Sequence, residues 1–117
     1  MNRTDSSLFR VDKFIVPASA RVPFLTAIEA IHHLIGAQPG CVQNHVLEQV
    51  GGPGEFNFVS VVEWASDDAM VCARGVIEAH QAQSGIDPQR FRDKQGIRAD
   101  VGTYQPVPWS TVPSALR

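Results

Sequence analysis

Residues 56–64 read Phe-Asn-Phe-Val-Ser-Val-Val-Glu-Trp. On an extended chain, Phe56, Phe58, Val62 and Trp64 fall on one face and Val59 and Val61 on the other. A strand that is apolar on both faces needs cover on both sides. A chain of 117 residues can cover one face of a small sheet with its own helices, so the second face calls for a partner subunit. Leu8 to Val16 repeats the two-sided pattern: Phe9, Val11 and Ile15 share one side, Leu8, Phe14 and Val16 the other. Pro17 ends that strand.

The period then changes. Phe24, Ile28, Ile31 and Ile35, joined by Leu25 and Leu34, make the apolar stripe of a helix predicted over Val22 to Ala37. Pro23 stands in its first turn, where a missing N–H does no harm, and Gly36, Pro39 and Gly40 stop it. Cys41 to Val50 reads as a second strand, with Val42 and Val46 alternating against His45 and Leu47. Gly51-Gly52-Pro53-Gly54 is a hairpin loop into the strand of residues 56–64, which makes those two strands antiparallel neighbours. Ser66 caps a second helix, with Asp67 and Asp68 at its positive end. That helix is predicted to run to Gln83 with Ala69, Cys72, Ala73, Val76 and Ile77 inward. Pro88 to Lys94 adds one helical turn carrying Phe91, and Ile97 to Tyr104 is the last strand.

The resulting order, strand–helix–strand–strand–helix–strand, is the split βαβ, ferredoxin-like α+β arrangement: an antiparallel sheet with two helices on one face. Stacking two bare sheet faces across a two-fold axis gives a homodimeric α/β barrel. The domain is expected over 8–106, between a polar arm (1–7) and an irregular tail (107–117) broken by Pro108 and Pro113 and anchored by Trp109.

Composition narrows the class. A hydrophobic fraction of 44% with 19% charged residues is that of a folded globular domain. A net charge of -2 leaves no basic stripe for nucleic acid. No apolar run approaches the roughly 20 residues of a membrane span, and no signal core follows the first charges, so a cytoplasmic location is expected. Cys41 and Cys72, in no Cys-x-x-Cys spacing, read as reduced, buried thiols. The glycine-rich loop lacks the Lys-Ser/Thr and following helix of a phosphate loop, and no nucleophile elbow or dinucleotide fingerprint occurs. No His pair stands at i, i+4, and no His/Cys cluster has metal spacing. The expectation is a protein without metal, haem or flavin. His32 and His33 are adjacent on a helix and point about 100° apart, so they cannot face one site together. His80 closes the second helix, where a cation suits the dipole.

Several segments resemble the antibiotic biosynthesis monooxygenase family of the dimeric α/β-barrel superfamily. They are Phe14-Ile15-Val16-Pro17, Pro39-Gly40-Cys41, Glu63-Trp64 before an acidic helix start, and Ala99-Asp100 with Gly102 and Tyr104. The resemblance covers about Leu8 to Pro106. It implies a ligand cavity between sheet and helices, with Trp64 lining it. Where polyketide-oxidising members carry an asparagine four residues before that tryptophan, this chain has Ser60. Where haem-degrading members carry an iron-ligating histidine about ten residues after it, this chain has Arg74, and haem degradation is not expected.

The resemblance, joined to the residues, implies a cofactor-independent monooxygenase of a small aromatic quinol, anthrone or phenol. Such substrates react with oxygen once deprotonated, given an apolar pocket, a proton acceptor and a donor for the anion. Ser60, Trp64 and His45 are the catalytic candidates. Phe58, Val62, Arg74 and His80 are the substrate-binding ones, with Arg74 suited to a phenolate or carboxylate. The other reading, from a different class, is a non-catalytic dimer of the same fold that binds a small apolar molecule or is purely structural.

Overall fold

In the computed structural model, which describes residues 7–109 and Ala115, β1 (Leu8–Ile15) is the first of four strands. A 3-10 turn (Ala18–Ala20) leads from it into α1 (Arg21–Gly36). There follow β2 (Cys41–Glu48), β3 (Phe58–Trp64), α2 (Asp67–Gln83), the short α3 (Pro88–Gln95) and β4 (Arg98–Tyr104). All neighbouring strands are antiparallel in the order β2-β3-β1-β4. This is the ferredoxin-like α+β sheet anticipated from the element order. Most of the arm and tail expectations fall on residues 1–6 and 110–117 and so lie outside the described residues, Ala115 apart; Trp109, inside them, is exposed.

Register decides what faces the helices. Phe58, Ser60, Val62 and Trp64 are buried, while Val59, Val61 and Glu63 between them are half-buried. Opposite them on β1, Phe14 pairs with Phe58, Asp12 with Ser60, Arg10 with Val62 and Leu8 with Trp64. On β2, Asn44 pairs with Val62 and Val46 with Ser60, after a bulge between Cys41 and Gln43. The other face carries Phe9, Val11, Ile15, Leu47, Val59 and Val61, and among the described residues no helix lies over it. Phe56 lies just before β3, with Lys13 Nζ 5.1 Å from its ring centre. Asn57 stitches the approach to β3 onto the exit from β1: its Oδ1 accepts from Val16 N and its Nδ2 donates to Val16 O.

Two apolar clusters fill the space under the helices. One holds Phe14, Val16, Ala20, Phe24, Ile28, Phe58 and Ile97, and the other holds Val62, Trp64, Met70 and Ala73. Ser66 caps α2 as expected, its hydroxyl accepting from Ala69 N at 3.1 Å. The inward stripe of α2 differs from the expected one. Met70 and Ala73 are buried and Ile77 half-buried, at spacings of three and four, whereas Cys72 and Val76 are exposed. Each of those two precedes an inward residue by one position, about 100° around the helix. Neither cysteine is fully buried: Cys41 is half-buried and Cys72 exposed.

Gly40 sets how closely α2 approaches the start of β2. Its φ is +85°, and a Cβ there would lie 2.5 Å from Ala69 Cβ. Gly40→Ala is expected to cost about 1–2 kcal/mol for the backbone conformation alone, with the clash adding to it. A urea melt within a few tenths of a kcal/mol of wild type would contradict this packing.

Candidate active site

Between the two apolar clusters lies a polar layer. On β3 it is Ser60, flanked by Phe58 and Val62. On α1 it is His32, one turn from Ile28 toward one cluster and near Ile35 toward the other. His32 and Ser60 are 9% and 6% exposed. A buried polar group needs partners, and these two supply each other: His32 Nε2 lies 2.7 Å from Ser60 Oγ. The second ring nitrogen, Nδ1, lies 3.2 Å from Asn44 Oδ1.

The network assigns the protons. Asn44 Nδ2 donates to Cys41 Sγ at 3.7 Å, which leaves Oδ1 as the acceptor facing the ring. Nδ1–H of His32 therefore donates to Asn44, and Nε2 accepts from the Ser60 hydroxyl. Burial pushes the His32 pKa below its ordinary value of 6.5; the Asn44 bond and the Asp12 carboxylate pull the other way, and His45 adds to the lowering. The result is an imidazole held neutral near pH 7, with Nε2 as the hydrogen-bond acceptor. Asp12 sits directly across from Ser60 on β1 and is bound by Arg10 Nε at 2.7 Å. A negative charge thus stands near the ring, ready to stabilise it once it takes a proton.

The layer is reached from a groove of about 970 Å3 between α1 and β2, lined by Leu25, Glu29, His32, Asn44, Val46 and Phe58 among others. Arg21 and Glu48 clasp each other beside it, Nε to Oε2 at 3.0 Å and Nη2 to Oε1 at 2.8 Å.

Of the residues singled out from the sequence, Phe58, Ser60, Val62 and Trp64 come together on the covered face of β3. Trp64 is packed with Met70 and Ala73 and is not among the groove-lining residues. His45 pairs with Val61 and so belongs to the opposite face of the sheet from Ser60. It is exposed, its Nε2 lying 3.1 Å from Gln43 Oε1, and it borders the groove from the edge strand. Arg74 and His80 are exposed on α2, away from the groove. His32 and Asn44 were not singled out. Position 32 stands four residues after Ile28 and eight after Phe24, on the core stripe of α1, and this spacing was the signal available.

Solved structures share the fold. A protein from Shewanella loihica named as a candidate monooxygenase matches at 16% identity over 87% of this chain and 95% of that one, with a TM-score of 0.66. SnoaB, a cofactor-independent oxygenase from Streptomyces nogalater, matches at 17% identity over 87% and 94%, TM-score 0.61. The fold is that of the antibiotic biosynthesis monooxygenases. A heme-degrading protein from Mycobacterium tuberculosis also shares the monooxygenase fold, at 24% identity over 58% and 77% with a TM-score of 0.51, so the architecture hosts more than one chemistry. No family model matches the sequence, and no curated protein matches it significantly.

Asn44→Ala tests the proton assignment. Without the carbonyl that favours the protonated ring, the His32 pKa is expected to fall further below 6.5. An imidazole titration by NMR that moves upward instead would contradict the assigned network.

Proposed function

We propose that this protein is a cofactor-independent monooxygenase of small hydroxylated aromatics, such as quinols, anthrones or phenols, bound in the α1–β2 groove. The observation that supports this best is His32: a buried, neutral imidazole with an accepting Nε2, bordering a groove of about 970 Å3. A substrate hydroxyl that takes the place of Ser60 Oγ at Nε2 gives up its proton to His32. Ser60 Oγ–H is then free to donate to the resulting oxyanion. The electron-rich anion reacts with dioxygen directly. For an anthrone, the ring carbon loses two hydrogens and gains one oxygen atom, and the other oxygen atom leaves as water. The substrate itself supplies the electrons.

The test is oxygen uptake with an anthrone, alongside product analysis, in wild type and in His32→Gln. Uptake above the uncatalysed rate that depends on His32 supports the reading. Binding without uptake would favour a non-catalytic small-molecule carrier of the same fold.

The same reading includes a homodimer. Phe9, Val11, Val59 and Val61 are only half-buried on a sheet face that no helix among the described residues covers, and Leu47 beside them is 52% exposed. Packing two such faces together would remove this surface from water. Val61→Glu is expected to dissociate the dimer, because it puts an unpaired carboxylate in the interface. Light scattering of the wild type as a monomer at micromolar concentration would contradict the proposal. Among the described residues, no helix is long and apolar enough to cross a membrane.

A further inference from the structure

The groove has a charge that the oxygenase reading does not use. Its polar lining comprises Thr26, Glu29, His33 and Glu48, together with His32, Asn44 and His45. Among the described residues, no lysine or arginine lines it. Glu48 is neutralised by Arg21, which holds both of its oxygens. Glu29 is exposed, and among the described residues the ion pairs are Arg10 with Asp12 and Arg21 with Glu48, so no cation holds its carboxylate. The groove therefore carries one uncompensated negative charge. Glu29 and His32 are separated by three positions on α1, which places their Cβ atoms about 5–6 Å apart on the same side of the helix.

We infer that the groove prefers cationic or uncharged aromatics over carboxylated ones, and that Glu29 sets this preference. The inference rests on the proposed use of the groove and narrows its substrate class: with the phenolic oxygen at His32, a substituent about one turn back along α1 meets the Glu29 carboxylate. Opposite unit charges about 6 Å apart in water change binding by about threefold, so an ammonium and a carboxylate at that point differ by about tenfold. The sign is the reverse of what Arg74 suggested from sequence, because Arg74 lies on α2 and does not line the groove.

The experiment measures dissociation constants for 1-naphthol, 3-(aminomethyl)-1-naphthol and 4-hydroxy-2-naphthoate, in which the charged group is meta to the phenolic oxygen, at pH 8 and low salt. The proteins are the wild type, Glu29→Gln and Glu29→Lys, and the backbone amide signals of Asn44 and Val46 report where each probe binds. Anions lose intrinsic affinity for apolar sites, so the readout is the amine-to-acid ratio compared between variants. That ratio is expected to fall about threefold to tenfold in Glu29→Gln and again in Glu29→Lys, with 1-naphthol changed by less than about twofold. An unchanged ratio with shifted Asn44 and Val46 signals would overturn the role of Glu29 and leave the groove standing as the site. If no probe shifts those signals, the groove fails as the site, and this inference falls with it.

Discussion

His32→Gln is expected to lower turnover of an anthrone or quinol by about 10²- to 10⁴-fold while the protein stays folded, the range typical of a lost general base. Glutamine can still bond Asn44 and Ser60 but cannot take a proton near neutral pH. On the proposed reading, activity of the wild-type protein should persist below pH 6.5, where an ordinary histidine is already charged, because burial holds His32 neutral to lower pH. Stability follows the same group. Above the unfolded value near 6.5 the ring is neutral in both states and the fold keeps its full stability. As pH falls through the depressed folded value, the unfolded chain binds the proton more readily and stability is lost. The His32→Gln protein should lack that part of the acid loss. Full activity in folded His32→Gln would remove His32 from the chemistry.

Phe24→Ala is expected to have the largest effect on stability. Phe24 is buried where α1 meets the sheet, with its ring 5.1 Å from that of Phe14 and 4.9 Å from that of Phe58. Truncation removes both aromatic contacts and leaves a cavity, at a cost of about 3–5 kcal/mol. Small domains have only about 5–15 kcal/mol to lose, so the variant should be largely unfolded at modest urea. Phe24 does not line the groove, which separates this outcome from any loss of binding. Unfolding of Phe24→Ala within 1 kcal/mol of wild type, by the same melt, would contradict the packing.

The fold was legible because its signals are local. The two-sided apolar strands, the Ser66 cap and the glycine-rich hairpin each follow from residues close together in sequence. The site was legible in part. Ser60, Val62 and Trp64 share a face by the period of two, and that alternation needs no knowledge of neighbours. His32 escaped for a reason of the same kind. Its position on the stripe of Phe24 and Ile28 was readable, but its meaning depends on Ser60, 28 residues away, and on Asn44, whose facing is set after the bulge between Cys41 and Gln43. His45 alternates onto the wrong face for Ser60, and only strand pairing reveals it. Arg74 was placed by its distance from Trp64 along the chain and His80 by its position at the end of α2, and neither says which side of the helix the residue occupies.

On the proposed reading, His32 is a neutral base whose Nδ1 carries the proton and whose Nε2 accepts. The most direct measurement is a pH titration of the His32 ring nitrogens by NMR in the wild-type protein. An Nδ1–H tautomer at neutral pH and a midpoint below 6.5 are expected, both altered in Asn44→Ala. A midpoint above 6.5, or an Nε2–H tautomer, would contradict it.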